Sequence, residues 1–383
     1  MENNKEGNAM KKQCVLAINP GSTSTKIAIF QDRERVLGEN IFHSTGALSA
    51  FNKITDQQVL RKAVILNFLK ENAFDVKSLS AVVGRGGMLT PMESGTYVVD
   101  PLMVAHLRNH PIEHASNLGA ILAWEIAESS GRKAYIVDPI VVDEMDEVAK
   151  VTGLPEIRRL SIFHALNQKA AAREAAKILG KSYGSSRLIV VHLGGGISVG
   201  AHRRGRVVDV NNALNGDGPM GPERAGSLPA WQLVEMALSG EYDRAALKQR
   251  ITGRGGLMAH LGTNDVREVK TAIEQENKAS TLIYHAMAYQ VAKEIGAMAA
   301  VLEGKVDAVV FTGGIAYDRE FLNLVKRRIV FIAPTIDLPG EDEMASLAEG
   351  VLRVLNGEES EKRWRPGTPS DAVPQKRCVP VDC

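Results

Sequence analysis

Two stretches of this chain have the composition of a phosphate-holding turn. Asn19-Pro20-Gly21-Ser22-Thr23-Ser24-Thr25-Lys26 sets a run of hydroxyl residues between a glycine and a lysine, and His192-Leu193-Gly194-Gly195-Gly196 carries an apolar run into consecutive glycines. Backbone N–H groups converge on an anion only where no Cβ intervenes, so such turns are rich in Gly, Ser and Thr. The first is not a Walker A loop, because it lacks a second glycine before Lys26 and a β-rich run follows it instead of a helix. A plain hairpin turn competes with the phosphate reading there, and close backbone approach competes at Gly194–Gly196. Thr312-Gly313-Gly314 leaves a strand-like run and could hold a base or ribose against the backbone. Gly216-Asp217-Gly218-Pro219-Met220-Gly221 is a literal G-x-G-x-x-G. A dinucleotide fingerprint needs a strand directly before it and a helix opening through it. Asn211–Asn215 and the prolines 219 and 222 deny both, so that reading is rejected.

Single charged residues complete the inventory. Arg85 sits between glycines in Gly84-Arg85-Gly86-Gly87, and a guanidinium fork matches a carboxylate; a surface arginine in a turn is the alternative. Asp138 ends an apolar run before Pro139, and carboxylates at strand C-termini of α/β folds are frequent site residues. His164 directly precedes a helical stretch, where a lone histidine is more often structural. Glu341, Asp342 and Glu343 open a helix, where negative charge favours the dipole without any ligand.

The elements that would position these residues read as alternating strands and helices. Val15–Ile18 and Lys26–Phe30 are strands, followed by a helix over Asp56–Asn72 with Val59, Ala63, Leu66 and Leu69 at helical spacing. Strands follow at Ala81–Val83 and Tyr135–Val137. Helices at His114–Ser130 and Leu166–Leu179 stop at Gly131 and Gly180. The pattern then restarts: Leu188–Val191, a glycine turn and Ile197–Ala201 repeat the first hairpin. Helix Ala279–Glu303, strand Ala308–Phe311, a helix from Asp318 and a helix over Glu341–Asn356 complete the series. Duplicated halves predict domains over 13–184 and 185–357, joined near Ser182–Ser186. Residues 358–383, rich in charge and proline, read as a disordered tail, and the first dozen as dispensable, with Met10 a possible second start.

Composition narrows the function. The 383 residues carry 46 Lys plus Arg against 45 Asp plus Glu, no surplus with which to track nucleic acid or an anionic membrane. No apolar run approaches the ~18–20 residues that span a bilayer, and the polar N-terminus lacks a signal-peptide centre. Three cysteines, Cys14, Cys378 and Cys383, make neither a disulfide framework nor a zinc site. A cytoplasmic α/β enzyme is the expectation.

In order along the chain, INPGSTSTK, GRGG, IVDP, SIFHALNQKAA, VHLGGG, PMGPERAGSLP, VFTGGIA and PGEDEMASLAEG resemble the acetate and butyrate kinase family of actin-like ATPases, and within it the butyrate kinases. The resemblance covers about Cys14 to Gly357. It implies a duplicated actin-like (ribonuclease H-like) α/β fold of two domains with a nucleotide cleft between them, and a homo-oligomer. It also implies transfer of the ATP γ-phosphoryl to a short-chain fatty acid with Mg²⁺, giving an acyl phosphate. On this resemblance Asn19 and Glu343 serve magnesium. Ser22, Ser24, Lys26, His192, Gly194, Gly195, Gly196, Asp265, Arg267, Gly313 and Gly314 hold the nucleotide. Arg85 binds the acid, and Asp138, His164 and Arg224 are catalytic. The chain has PERAG where acetate kinases have a TRSG-type sequence. A fatty acid is already ionised at neutral pH, so Asp138 is expected to orient substrate, arginines or hydrated metal instead of removing a proton. A sugar or hydroxy-compound kinase on the same fold and a non-enzymatic nucleotide switch are the other readings.

Overall fold

The computed structural model describes residues 12–366. Among these, the chain divides into two compact units: one runs to Val137 and resumes at Ala348, the other is Asp138–Leu347.

In the first unit, β1 (Cys14–Pro20), β2 (Ser24–Gln31) and β3 (Glu34–Phe42) form an antiparallel meander. β4 (Ala81–Gly84) adds parallel to β1, and β6 (Lys133–Val137) parallel to β4. β5 (Thr96–Val98) and β12 (Lys362–Arg363) extend the sheet to the order β12-β5-β6-β4-β1-β2-β3. β1 and β4 are buried along their whole length, which is why they read as unbroken apolar runs instead of alternating ones.

The second unit repeats the plan. β7 (Arg187–Leu193), β8 (Ile197–Arg203) and β9 (Arg206–Val210) form the meander, and β10 (Ala308–Gly313) and β11 (Thr335–Pro339) add in parallel, giving β11-β10-β7-β8-β9. The central strands β6-β4-β1-β2-β3 of the first sheet have the same order. The weak sequence repeat is therefore a true duplication of architecture, the mixed α/β two-sheet design expected.

Two boundaries differ from the sequence reading. The join expected near Ser182–Ser186 falls inside the second unit. The helix Ala165–Ile178 lays Ala171, Ala172 and Ala175 against Leu188 and Val190 of β7 and Ala308 and Val310 of β10, so its small-residue face ties it to the second sheet. The stretch from residue 358 is not featureless as far as it is described: β12 pairs with β5, Glu361 accepts from Lys133 (2.8 Å) and the Tyr135 hydroxyl (2.9 Å), and Trp364 is 2% exposed. The rest of that tail, with Cys378 and Cys383, and the first residues with Met10 lie outside the described residues.

Candidate active site

The first hairpin turn is tight: the Gly21 N–H donates to the Ser24 carbonyl (2.8 Å), while Ser22, Thr23 and Lys26 stay exposed. Asn19 is buried at the end of β1, in register with Lys26. What braces the turn is a residue the sequence reading passed over. Arg61, fully buried on the helix Gln58–Glu71, donates to the carbonyls of Ser22 (3.1 Å) and Ser24 (2.7 Å), to Thr25 Oγ1 (3.0 Å) and twice to Gln57 Oε1. All five of its N–H groups meet neutral acceptors. Burial pushes its pKa down, yet a guanidinium keeps its charge, so a fixed positive charge lies behind the turn.

Arg85 follows β4 and is half-buried. The flanking glycines do something other than clear space around it. A Cβ on Gly84 would collide with the Gly119 carbonyl, and one on Gly119 with the Arg85 carbonyl. They let the strand end meet the start of the helix Asn117–Ser129 backbone to backbone, which aims Arg85. His114 lies near enough that burial and the Arg85 charge both lower its pKa.

Asp138 is 2% exposed and adopts φ +38. A non-glycine residue held there costs about 1–3 kcal/mol, and such strain gathers at functional sites. Its carboxylate pairs with Arg173 at 3.4 Å.

The glycine turn of the second hairpin is where the predicted residues come together. His164 and His192 stack, ring centroids 3.8 Å apart and 14° from parallel. Asn167 Oδ1 takes the His192 Nδ1 proton at 2.7 Å, and the His192 Nε2 faces Glu341 at 3.8 Å. His164 Nδ1 lies 2.9 Å from Ser198 Oγ. A Cβ on Gly196 would stand 3.0 Å from the Ala213 carbonyl, 3.7 Å from the His164 ring and 3.9 Å from Arg224. Only glycine admits this convergence comfortably. Arg224 pairs with Glu223 (3.1 Å), but its buried Nε–H has no hydrogen-bond partner among the described residues. A buried donor without a protein partner is rare.

Beside the turn opens a cleft of about 710 Å³ whose lining includes Gly194, Gly195, Asp265, Arg267, Gly314 and, unforeseen, Lys270. Gly313, just before the lining residue Gly314, packs its backbone on Leu193 at φ +87. The Asp265 carboxylate caps its helix and is gripped by Arg267 (2.6 Å), which lowers its pKa to about 2. Asp318, also missed, caps the helix Arg319–Ile329 and accepts from Tyr284 (2.7 Å) and Lys270 (3.0 Å). Burial raises its pKa, but those donors win and hold it below the usual carboxylate range. Of the acidic run, Asp342 caps the helix Glu343–Leu355 through Ala345 N (2.9 Å), Glu341 faces His192, and Glu343 begins the first turn.

No helix among the described residues is long and apolar enough to cross a membrane. Residues 148–337 match the Acetokinase family pattern. Acetate kinase of Porphyromonas gingivalis shares 22% identity, with 90% of this chain and 100% of that chain covered, at a TM-score of 0.73. A propionate kinase from Francisella tularensis subsp. tularensis shares 18% over 88% and 98%, at 0.68. Acetate kinase from Entamoeba histolytica shares 18% over 88% and 98%, at 0.70. These structural likenesses establish the fold. Asn19, Arg85, Asp138 and Glu343 fall outside the matched stretch, but His164, the glycine turn, Arg224 and most of the cleft lie within it.

Proposed function

We propose that this chain is a carboxylate kinase that passes the γ-phosphoryl of ATP reversibly to a short-chain fatty acid, butyrate or a branched analogue. A carboxylate oxygen attacks the γ-phosphorus in line, the bond to the β–γ bridging oxygen breaks, and ADP leaves as the acyl phosphate forms. The acceptor is its own nucleophile at neutral pH, so phosphoryl transfer asks the protein for positioning and for donors around the transferring group.

The observation that carries this reading is the unpartnered buried Nε–H of Arg224 beside the His164–His192 stack and the glycine turn. Such a cluster of donors suits an anionic oxygen array. Arg85, aimed by its backbone packing, supplies the fork for the carboxylate. Asp138, enclosed and paired with Arg173, orients its neighbours. Within the second unit, nucleotide phosphate is assigned to the glycine turn at 194–196 and the base side to the cleft lined by Gly314 and Lys270.

Asn19 and Glu343 are hard oxygen donors of the kind Mg²⁺ accepts. Among the described residues no group of three or more His, Cys, Asp or Glu gathers, which suits an ion held largely by phosphate oxygens and water. When bound, Mg²⁺ neutralises phosphate charge.

Hydroxylamine trapping tests the reaction, because an acyl phosphate yields a hydroxamate and a sugar phosphate does not. We expect hydroxamate to form with C4 acids at a higher kcat/KM than with acetate. A pocket discriminates one methylene by only ~1–3 kcal/mol, so activity should grade across C2 to C6. ATP turnover that is equally fast without acid defeats the proposal.

A further inference from the structure

We propose that Ser198 and Gln168 are positioning residues that hold the His164 imidazole in its Nε2–H form, through a buried hydrogen-bond relay that starts at Tyr183. This rests on the reading of His164 as a donor to the transferring phosphoryl group, and it adds how that donor is kept in one state.

The direction of every bond in the relay follows from the groups present. Gln168 Nε2 lies 3.1 Å from the Ser198 carbonyl and 2.8 Å from Ser198 Oγ. A carbonyl can only accept, so this end of the side chain is the NH₂ and the other end is Oε1. Oε1 lies 2.9 Å from His202 Nε2, which must therefore carry a proton. His202 is fully buried, and burial first, then the Lys169 charge, bring its pKa down to about 3, so its ring is neutral. Its Nδ1 is then an acceptor and takes the Tyr183 hydroxyl proton across 2.8 Å.

At the other end Ser198, fully buried, already accepts from Gln168. Its own O–H needs an acceptor, and among the described residues the one it meets is His164 Nδ1 at 2.9 Å. A buried hydroxyl left without an acceptor is penalised. With Nδ1 accepting, a neutral ring bears its proton on Nε2. The wrong tautomer of a catalytic histidine can cost about 10⁴ in rate even with geometry intact.

The fold makes room for this relay specifically. A Cβ on Gly200 would fall on Gln168 Oε1, so glycine at that point of β8 lets the amide lie against the strand. Ser198 and His202 stand on β8, two residues either side of Gly200, and share one face of the sheet. Gln168 reaches them from the first turn of the helix that His164 precedes.

The test is the ring nitrogen spectrum of full-length, ligand-free protein labelled with ¹⁵N-histidine, with the His164 signals identified by their loss in His164→Asn. We expect a pyridine-like Nδ1 and a pyrrole-like Nε2. Gln168→Glu replaces the donor to Ser198 by an acceptor, so the hydroxyl turns to the carboxylate and His164 should change to the Nδ1–H form. Ser198→Ala, which adds no charge and alters packing little, should give a mixture of the two forms. Both variants should lower kcat for the acid by about 10²-fold or more, with KM changed far less. An Nδ1–H or mixed signal in the unmodified protein overturns the proposal. So does an Nε2–H signal that persists in both variants, since something else then sets it. The spectrum reads the relay whether or not the protein phosphorylates carboxylates, so failure of that function and failure of the relay are told apart.

Discussion

The two hairpins are one design used twice, with different groups behind the turn. β1–β2 and β7–β8 pair in the same sense and hold the same place in their sheets. The turn at 21–24 is backed by a fixed charge, the buried Arg61, which grips its carbonyls. The turn at 194–196 is backed by a stack of two imidazole rings and flanked by an arginine with an unspent donor. The first arrangement is suited to holding an anion whose charge stays constant. The second can add or withhold a hydrogen bond as a group reacts, so catalysis should concentrate there and the first turn should serve binding and stability.

The largest effect expected from this contrast is at Arg224. Arg224→Ala should lower kcat by ~10²–10³-fold, on the order of 3–4 kcal/mol of transition-state stabilisation, while urea unfolding moves by about 1 kcal/mol or less, the worth of the part-exposed pair with Glu223. Steady-state kinetics that show KM rising with kcat preserved would assign Arg224 to ground-state binding and erase the difference between the turns.

Arg61 should show the reverse profile. Arg61→Met takes the Arg61 donors from the Ser22 carbonyl and the Gln57 amide oxygen, leaves the Ser24 carbonyl with the Gly21 N–H alone, and should cost about 3 kcal/mol in urea unfolding. Arg61→Lys should recover little of it, since an ammonium has three donors where the site uses five. A loss below about 1 kcal/mol would mean that the turn holds its shape unaided.

Arg61 also shows where the sequence could be read and where it could not. The helix at 58–71 was legible, but of the expected apolar positions Val59, Ala63, Leu66 and Leu69 only Leu69 is buried, with Leu66 half-buried. Val59 and Ala63 are exposed, and Arg61, Ile65, Phe68 and Leu69 face inward. Pattern reading assigns arginine to solvent, and only the turn's carbonyls, remote in sequence, explain its burial. The same limit hid Lys270, Asp318 and the relay behind His164, whose members sit on separate elements. Strands buried on both sides, β1, β4, β7 and β10, were plain because they are apolar runs. β12, two residues long with its anchor in Trp364 and Glu361, carries no period to detect. At Gly84-Arg85-Gly86-Gly87 the sequence suggested space cleared for a ligand, whereas the contact that requires Gly84 is the strand end against the helix Asn117–Ser129.

A buried histidine on β8 gives the second hairpin a pH signature. His202 has its pKa lowered to about 3 in the folded protein, by burial foremost, against ~6.5 unfolded. Above pH 6.5 both states are neutral there and nothing is lost. Below it the unfolded chain takes up a proton that the folded one refuses, so stability falls as pH falls toward 3, at up to ~1.4 kcal/mol per unit. Between pH 7 and 5 this site alone should remove about 2 kcal/mol, read from urea midpoints at the two values. His202→Gln should flatten that part of the slope. An unchanged slope in the variant would place the acid sensitivity elsewhere.

The smallest effect sharpens the comparison most, because it separates backbone from side chain in the first turn. Ser22 and Ser24 supply hydroxyls, but Arg61 holds their carbonyls and so fixes the path of the backbone whatever the side chains are. If N–H groups do the holding of phosphate, as they do in other anion-binding turns, each hydroxyl adds only one hydrogen bond in contact with water, worth about 0.5–1.5 kcal/mol. Ser22→Ala and Ser24→Ala should therefore each raise KM for ATP by roughly two- to tenfold, with kcat for the acid unchanged. Should kcat fall instead, the hydroxyls would touch the group in transfer, and the first turn would share the chemistry assigned to the second.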